Sequence, residues 1–218
     1  LMIGRATFGD PWVLQQVNVA LKGEEVPLRP VLKDRVDVAL RQFELALEDK
    51  GEHIACFAGG DRALYETIAT NPNVRMMPGT WAVDPMIIMQ NDNMVSINTC
   101  IEMDLTGQIT AESVGARQFS GSGGAFDFAY GALRSKGGRG IYAFTSLSKK
   151  GQSRINAILA PGAQITIPRN YADYVVTEYG IAVLKGRTLA DRVKALVSIA
   201  HPEDREKLLY DAKKYMFI

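Results

Sequence analysis

The run QFSGSGGAFDF, residues 118–128, places Gly121, Gly123 and Gly124 just ahead of an apolar-rich segment. Glycine costs backbone entropy, so such a cluster signals either a φ above zero or close approach of something to the main chain. A tight strand-to-helix turn would meet the first need. Bare N–H groups at a helix N-terminus, holding an anion or an oxyanion, would meet the second. The spacing is not G-x-G-x-x-G, and no P-loop lysine and hydroxyl follow, so neither the dinucleotide fingerprint nor the Walker loop is present. Asp127, in the first turn of the expected helix, suits the helix dipole and reads as a cap. A second candidate lies in IEMDLTG. Glu102 and Asp104 are spaced i, i+2, so on a strand they project from one face as paired carboxylates, or else serve as acceptors for nearby backbone N–H groups.

The elements that would position these residues alternate. Residues 33–50 carry Val36, Ala39, Leu40, Phe43 and Leu47 at helical spacing, with Gly51 as a C-cap. HIACFAG reads as a strand, DRALYETIA as a helix capped by Asp61, and NPNVRMMPGTWAVDP as turn-rich with one strand. MIIMQ, MVSINTCIEMDL and QITAESV read as strands. AFDFAYGALRS reads as a helix ending at Gly137 and Gly138. GIYAFTSLS, AQITIP and ADYVVTEYG read as strands, and LADRVKALVSIA and EDREKLLYDAKK as closing helices. The fold class expected is α/β, an open layered sheet with flanking helices, preceded by a short strand-loop-helix segment. The glycine run then falls between a strand and a helix, where ligands of open α/β sheets sit.

Composition bounds the function. With 47% hydrophobic residues, 22% charged residues and a formal net charge of +1, the 218-residue chain gives no electrostatic reason to expect nucleic acid or an anionic membrane surface. It has no apolar run of membrane-spanning length and no signal-peptide pattern. The cysteines, Cys56 and Cys100, lie far apart with only His53 and His201 to join them in a metal site, and a cytoplasmic protein with reduced thiols is expected.

QNDNMVSINTCIEMDLTGQITAES, SGSGGAFDFAYGA, SKGG, DYVVTEYGIAVLKGRTL and IAHPEDRE together resemble the C-terminal half of the acetyl-CoA hydrolase/transferase family, from about residue 54 to 214. The acetate, butyrate and 4-hydroxybutyrate CoA-transferases belong to that family. The resemblance implies transfer of CoA between an acyl-CoA and a short carboxylic acid, through a thioester on an enzyme glutamate. It matches Gly123 and Gly124 to loop glycines beside the thioester and pantetheine, with Gly121 in the same loop. Ile101 and Lys136 match residues near CoA, and Glu178 of VVTEYG matches a glutamate lining the active site. The family's nucleophilic glutamate lies upstream, in a segment reading like G-I-H-T-E-M, which this sequence does not contain. No nucleophile is therefore assigned. The chain is expected to lack the N-terminal transferase half, its natural partner, and to be inactive alone; a homodimer is another assembly open to it.

The opening, LMIGRATFGDPW with the 33–50 helix, instead resembles the C-terminal part of a tRNA-dihydrouridine synthase. By that resemblance Gly4 and Arg5 match residues contacting the FMN phosphate, Arg5 suiting an anion by charge. The other barrel strands and the catalytic cysteine region are missing, so flavin binding is not expected here. Two unrelated family endings imply a fusion, a truncated frame or an assembly artefact, with residues 1–53 as one unit and 54–218 as the other. The alternatives are an RNA-modifying flavoenzyme fragment and a non-catalytic interaction domain docking through the 33–50 helix.

Overall fold

A computed structural model describes Met2–Ile3 and residues 53–218. The expected 33–50 helix, Gly4, Arg5 and the FMN contact they imply lie outside the described residues. Met2–Ile3 forms strand β1, running parallel to a later strand with Met2 opposite Ser96.

The main described segment opens with a small βαβ unit: β2 (His53–Ala55), α1 (Arg62–Thr70) and β3 (Val74–Met76), with β2 and β3 parallel. Asp61 caps α1 as its sequence suggests, accepting a hydrogen bond from the Leu64 amide at 3.0 Å. Two short helices follow, α2 (Gly79–Ala82) and α3 (Pro85–Ile88). The MIIMQ run, expected as a strand, is thus helical at its start. Asp84 accepts from the Met86 amide at 2.8 Å, and Pro85 supplies a first helical residue that needs no N–H partner.

The rest of the chain builds two sheets. In order come β4 (Val95–Asn98), β5 (Glu102–Asp104), β6 (Ile109–Thr110), β7 (Ser113–Val114) and β8 (Arg117–Gln118), then helix α4 (Ala125–Arg134). They are followed by β9 (Arg139–Ala143), β10 (Ile155–Asn156), β11 (Tyr174–Thr177), β12 (Gly180–Val183), α5 (Leu189–Ser198) and α6 (Arg205–Lys214). The five-stranded sheet has the order β1-β4-β9-β11-β12, parallel except for the β11–β12 hairpin. A three-stranded sheet has the order β10-β5-β6. MVSINTCIEMDL, expected as one strand, therefore divides between two sheets at Thr99–Ile101. AQITIP, also expected as a strand, contributes only a bridge between Ile167 and Ile109.

The main core lies between the sheets and the closing helices. Met103, Leu105, Ile109, Tyr142, Ile155, Val175, Leu184, Val193 and Leu196 are all buried there. Alternate residues of the large sheet point the other way, and Ile97, Ile141, Ala143 and Val176 form a second apolar cluster. α4 crosses between β4 and β9 and packs close to α3; a Cβ on Gly131 would lie 2.5 Å from Ile88 Cγ2. The C-terminal end of α4 is fixed at the amino ends of both strands. Ser135 Oγ accepts from the Met94 amide at 3.2 Å and donates to the Asn91 carbonyl at 2.5 Å, while the Arg139 amide donates to the Met94 carbonyl at 2.8 Å. The N-terminus of α4, where the glycine run enters, consequently lies toward the carboxyl ends of β4 and β9.

Candidate functional site

At the carboxyl edge of the parallel strands, the glycine run turns into α4. Gly123 has φ +56°, and a Cβ placed on it would meet nothing within 4 Å, so its conformation and the space above it are both open. Gly121 also faces open space, whereas a Cβ on Gly124 would lie 3.0 Å from Val83 Cγ1. Gly124 is the N-cap and has no side chain to offer. The first amide to find a helical carbonyl is that of Phe128, which donates to Gly124 at 3.0 Å. The amides of Ala125, Phe126 and Asp127 are thus those an α-helix leaves without intrahelical partners, at the positive end of its dipole. Among the described residues, the Gly121, Gly123 and Gly124 amides donate no main-chain hydrogen bond into the sheets.

One carboxylate missed in the sequence reading, Glu112, anchors this loop. Its carbonyl accepts from the Phe119 amide at 2.7 Å and the Ser120 amide at 3.2 Å. Its Oε2 accepts from Gln118 Nε2 at 2.9 Å, and Gln118 Nε2 also donates to the Ser120 carbonyl at 2.7 Å. Thr166 donates to Glu112 Oε1 at 3.0 Å. The β7–β8 hairpin and the entry to the glycine loop are therefore tied to one side chain. A polar residue two positions after a β-strand, facing an amide-rich turn, was the only local signal.

Glu178 occupies the turn between β11 and β12, also at the carboxyl edge. Both of its oxygens are engaged by Ser146, which follows β9: the Ser146 amide donates to Oε2 at 2.8 Å and its hydroxyl to Oε1 at 2.6 Å. Ser146 is fully buried, and its carbonyl accepts from the Arg154 amide at 2.8 Å. Below the turn, Thr177 Oγ1 donates to the Ile199 carbonyl at 2.6 Å, fixing the hairpin to the end of α5.

Ile101 lies in the break between β4 and β5. Its amide donates to Thr110 at 2.8 Å and its carbonyl accepts from Arg154 Nε at 2.9 Å, so only its side chain remains available for a ligand. The Arg154 guanidinium also binds the Cys100 carbonyl and donates to Thr145 Oγ1 at 3.2 Å. The proposed Glu102–Asp104 pair resolves into two different groups. Asp104 closes the DLTGQ turn, accepting from the Thr106 amide and hydroxyl and from the Gln108 amide and side chain at 2.7–2.9 Å. Glu102 instead has a buried Oε2 with no hydrogen-bond partner, and desolvation pushes its pKa up against the opposing charge of Arg154. Burial likewise pushes the Cys100 thiol up to about 12, which keeps it protonated and unreactive. Asp127 is raised by desolvation, with the nearby Asp84 charge adding to it.

Lys136 is not brought to the glycine loop. It follows the C-cap Ser135, and the intervening ten-residue helix spans about 15 Å. Its ammonium is exposed and lies 3.6 Å from Asp92, and its carbonyl accepts from the Asn93 amide at 2.7 Å. SKGG and QNDNM are in this way two halves of one clip at the amino ends of β4 and β9. Gly138 is needed in it, since a Cβ there would meet the Ala132 carbonyl. Among the described residues no group of three or more His, Cys, Asp or Glu could hold a metal ion. Nor is any helix long and apolar enough to cross a membrane.

Known proteins are similar to this one over most of the chain. The 4-hydroxybutyrate coenzyme A transferase of Clostridium kluyveri is 48% identical over 165 residues, covering 75% of this chain and 38% of that protein. A probable butyrate:acetyl-CoA coenzyme A-transferase of Syntrophomonas wolfei is 44% identical over 169 residues, again covering 38% of its own length. Among solved structures, RipA from Yersinia pestis superposes with a TM-score of 0.72 at 40% identity, over 78% of this chain and 38% of that one. A 4-hydroxybutyrate CoA-transferase from Porphyromonas gingivalis gives a TM-score of 0.62 at 41% identity, over 75% and 38%. The chain thus spans well under half the length of these relatives. Residues 60–212 match the family model described as the acetyl-CoA hydrolase/transferase C-terminal domain, and with the glycine loop and Glu178 both lying inside that span, the chain belongs to this family.

Proposed function

We propose that this chain supplies the C-terminal part of a CoA-transferase site, which passes CoA between an acyl-CoA and a short carboxylic acid. One observation carries the reading: the amides from Gly123 to Phe126 sit at the carboxyl edge of the sheet, in a loop where Cβ atoms on Gly121 and Gly123 would meet nothing within 4 Å. Main chain without side chains lets a narrow pantetheine arm approach closely. Donors at a helix N-terminus also suit the partial negative charge that develops on a thioester oxygen during acyl exchange. Glu178, its two oxygens held by Ser146, lines the same edge in a fixed orientation. We assign it an orienting or electrostatic role, because a carboxylate whose oxygens both accept strong hydrogen bonds is a poor nucleophile.

Ile101 contributes side-chain surface to the coenzyme, while Lys136, at the far end of α4, has no part in the loop's contacts. The nucleophilic glutamate that family chemistry requires belongs to a segment this sequence does not contain. The remaining length of the relatives is the natural source of that residue and of the complementary half of the site. Isothermal titration of the 218-residue chain with CoA tests the reading. Saturable one-site binding is expected, and no heat of binding up to millimolar coenzyme would overturn it.

A further inference from the structure

The β7–β8 hairpin presents a feature that the thioester site does not use. Phe119 is 56% exposed, and the Arg117 guanidinium lies over it at 4.9 Å from the centroid. The two residues are not on a loose loop. The Glu112 carbonyl fixes the Phe119 amide, and the Glu112 carboxylate holds Gln118 between them. At the hairpin tip, Gly115 packs against the Pro161 carbonyl and Gly162 against Ala116, since Cβ atoms there would approach to 3.4 and 3.1 Å. The Ser113 hydroxyl, fully buried, accepts from the Gln164 amide at 2.8 Å. A rigid hairpin therefore holds an exposed aromatic ring with a cation over one of its faces. Phe119 is four residues before Gly123, so the two are at most about 14 Å apart along the chain.

Resting on the coenzyme reading above, we infer that Phe119 and Arg117 form the subsite for the nucleotide end of the coenzyme, the ring stacking on adenine and the guanidinium meeting a phosphate. The pairing of chemistries selects this occupant. A planar base needs an uncovered π-face, and stacking of this kind contributes about 1–3 kcal/mol per base. An anion needs a cation, and Arg117 forms no salt bridge among the described residues. Pantetheine leads from the phosphates to the thiol, so a nucleotide on Phe119 directs the arm toward the glycine loop that follows in sequence.

The test compares CoA with pantetheine, which lacks the nucleotide, by titration into the full chain and its variants. Phe119→Ala is expected to weaken CoA roughly tenfold while leaving pantetheine affinity unchanged, and Phe119→Tyr is expected to retain CoA binding. Arg117→Gln is expected to weaken CoA by a similar factor and to flatten its dependence on salt. Unchanged CoA affinity in Phe119→Ala and Arg117→Gln would overturn the subsite while leaving the coenzyme reading intact. Equal losses for CoA and pantetheine would overturn it too, by showing damage to the loop. A wild-type chain that binds neither ligand would refute the coenzyme reading itself, and the subsite with it.

Discussion

Ser146 and Glu178, which stand 32 residues apart and follow neighbouring parallel strands, are joined by two hydrogen bonds of 2.6 and 2.8 Å. The bonds exist because β9 and β11 are parallel and adjacent, with Tyr142 opposite Val175 and Ala143 opposite Val176. Both strands therefore end at the same edge. The residue leaving one strand can donate to the residue turning out of the other.

Replacing Ser146 by alanine removes the hydroxyl donor and keeps the amide. Hydrogen bonds to charged groups contribute about 1.5–3 kcal/mol, but Glu178 is exposed and regains water, so a loss of about 1 kcal/mol is expected. A lowered urea midpoint with an unchanged slope would show it; an unchanged midpoint would mean the pair is not formed in solution.

Gly123 and Gly131 should respond differently to alanine. At Gly123 only the positive φ is penalised, at about 1–2 kcal/mol, because no atom lies in the way. At Gly131 a methyl would press on Ile88 inside a closed helix pair, and overpacking costs about 1–3 kcal/mol. Thermal unfolding of both variants, with CoA titration, separates the cases. Gly123→Ala is expected to lose coenzyme affinity, and Gly131→Ala to lose stability with its affinity intact.

Glu102 makes a prediction about pH. Its folded-state pKa is raised by desolvation above an ordinary value near 4.5, so the native state binds more protons than the unfolded state between those two values. Stability from this group therefore falls as pH rises through that window and stays reduced above it. Glu102→Gln should remove the effect and raise the denaturant midpoint at pH 7 relative to pH 4. A variant less stable than the parent at pH 7 would contradict the assignment of Oε2 as unpartnered.

The cysteines should differ in reactivity. Cys100 is buried with its thiol pushed up to about 12, while Cys56 is only half-buried. Under native conditions iodoacetamide is expected to modify Cys56 alone, with Cys100 labelled only after denaturation. Rapid native labelling of Cys100, read by peptide mass spectrometry, would show that the strand break at 99–101 opens.

Much of this was legible in the sequence where the cause is local. Asp61 announces α1, Gly137 and Gly138 announce the end of α4, and the helical spacing of Val193, Leu196 and Val197 announces the buried face of α5. MIIMQ misled because a short apolar run has no period of its own, although the Asp84–Pro85 cap beside it was the better guide. AQITIP misled because its neighbour β6 has only two residues to pair with. At the site, the glycine loop could be read from composition and context. The Ser146 clamp and the Glu112 anchor could not, since each joins segments brought together only by sheet order. Nor could the place of Lys136 be read from spacing: twelve residues from Gly124 in sequence, it sits at the other end of the intervening helix.

The most direct test of the coenzyme reading is a ¹H–¹⁵N titration of the 218-residue chain with CoA, following the amides of Gly123, Gly124 and Ala125. These resonances are expected to move together and saturate with the affinity found by calorimetry, while the Lys136 amide stays still. Saturating CoA that leaves the three amides unmoved would contradict that reading.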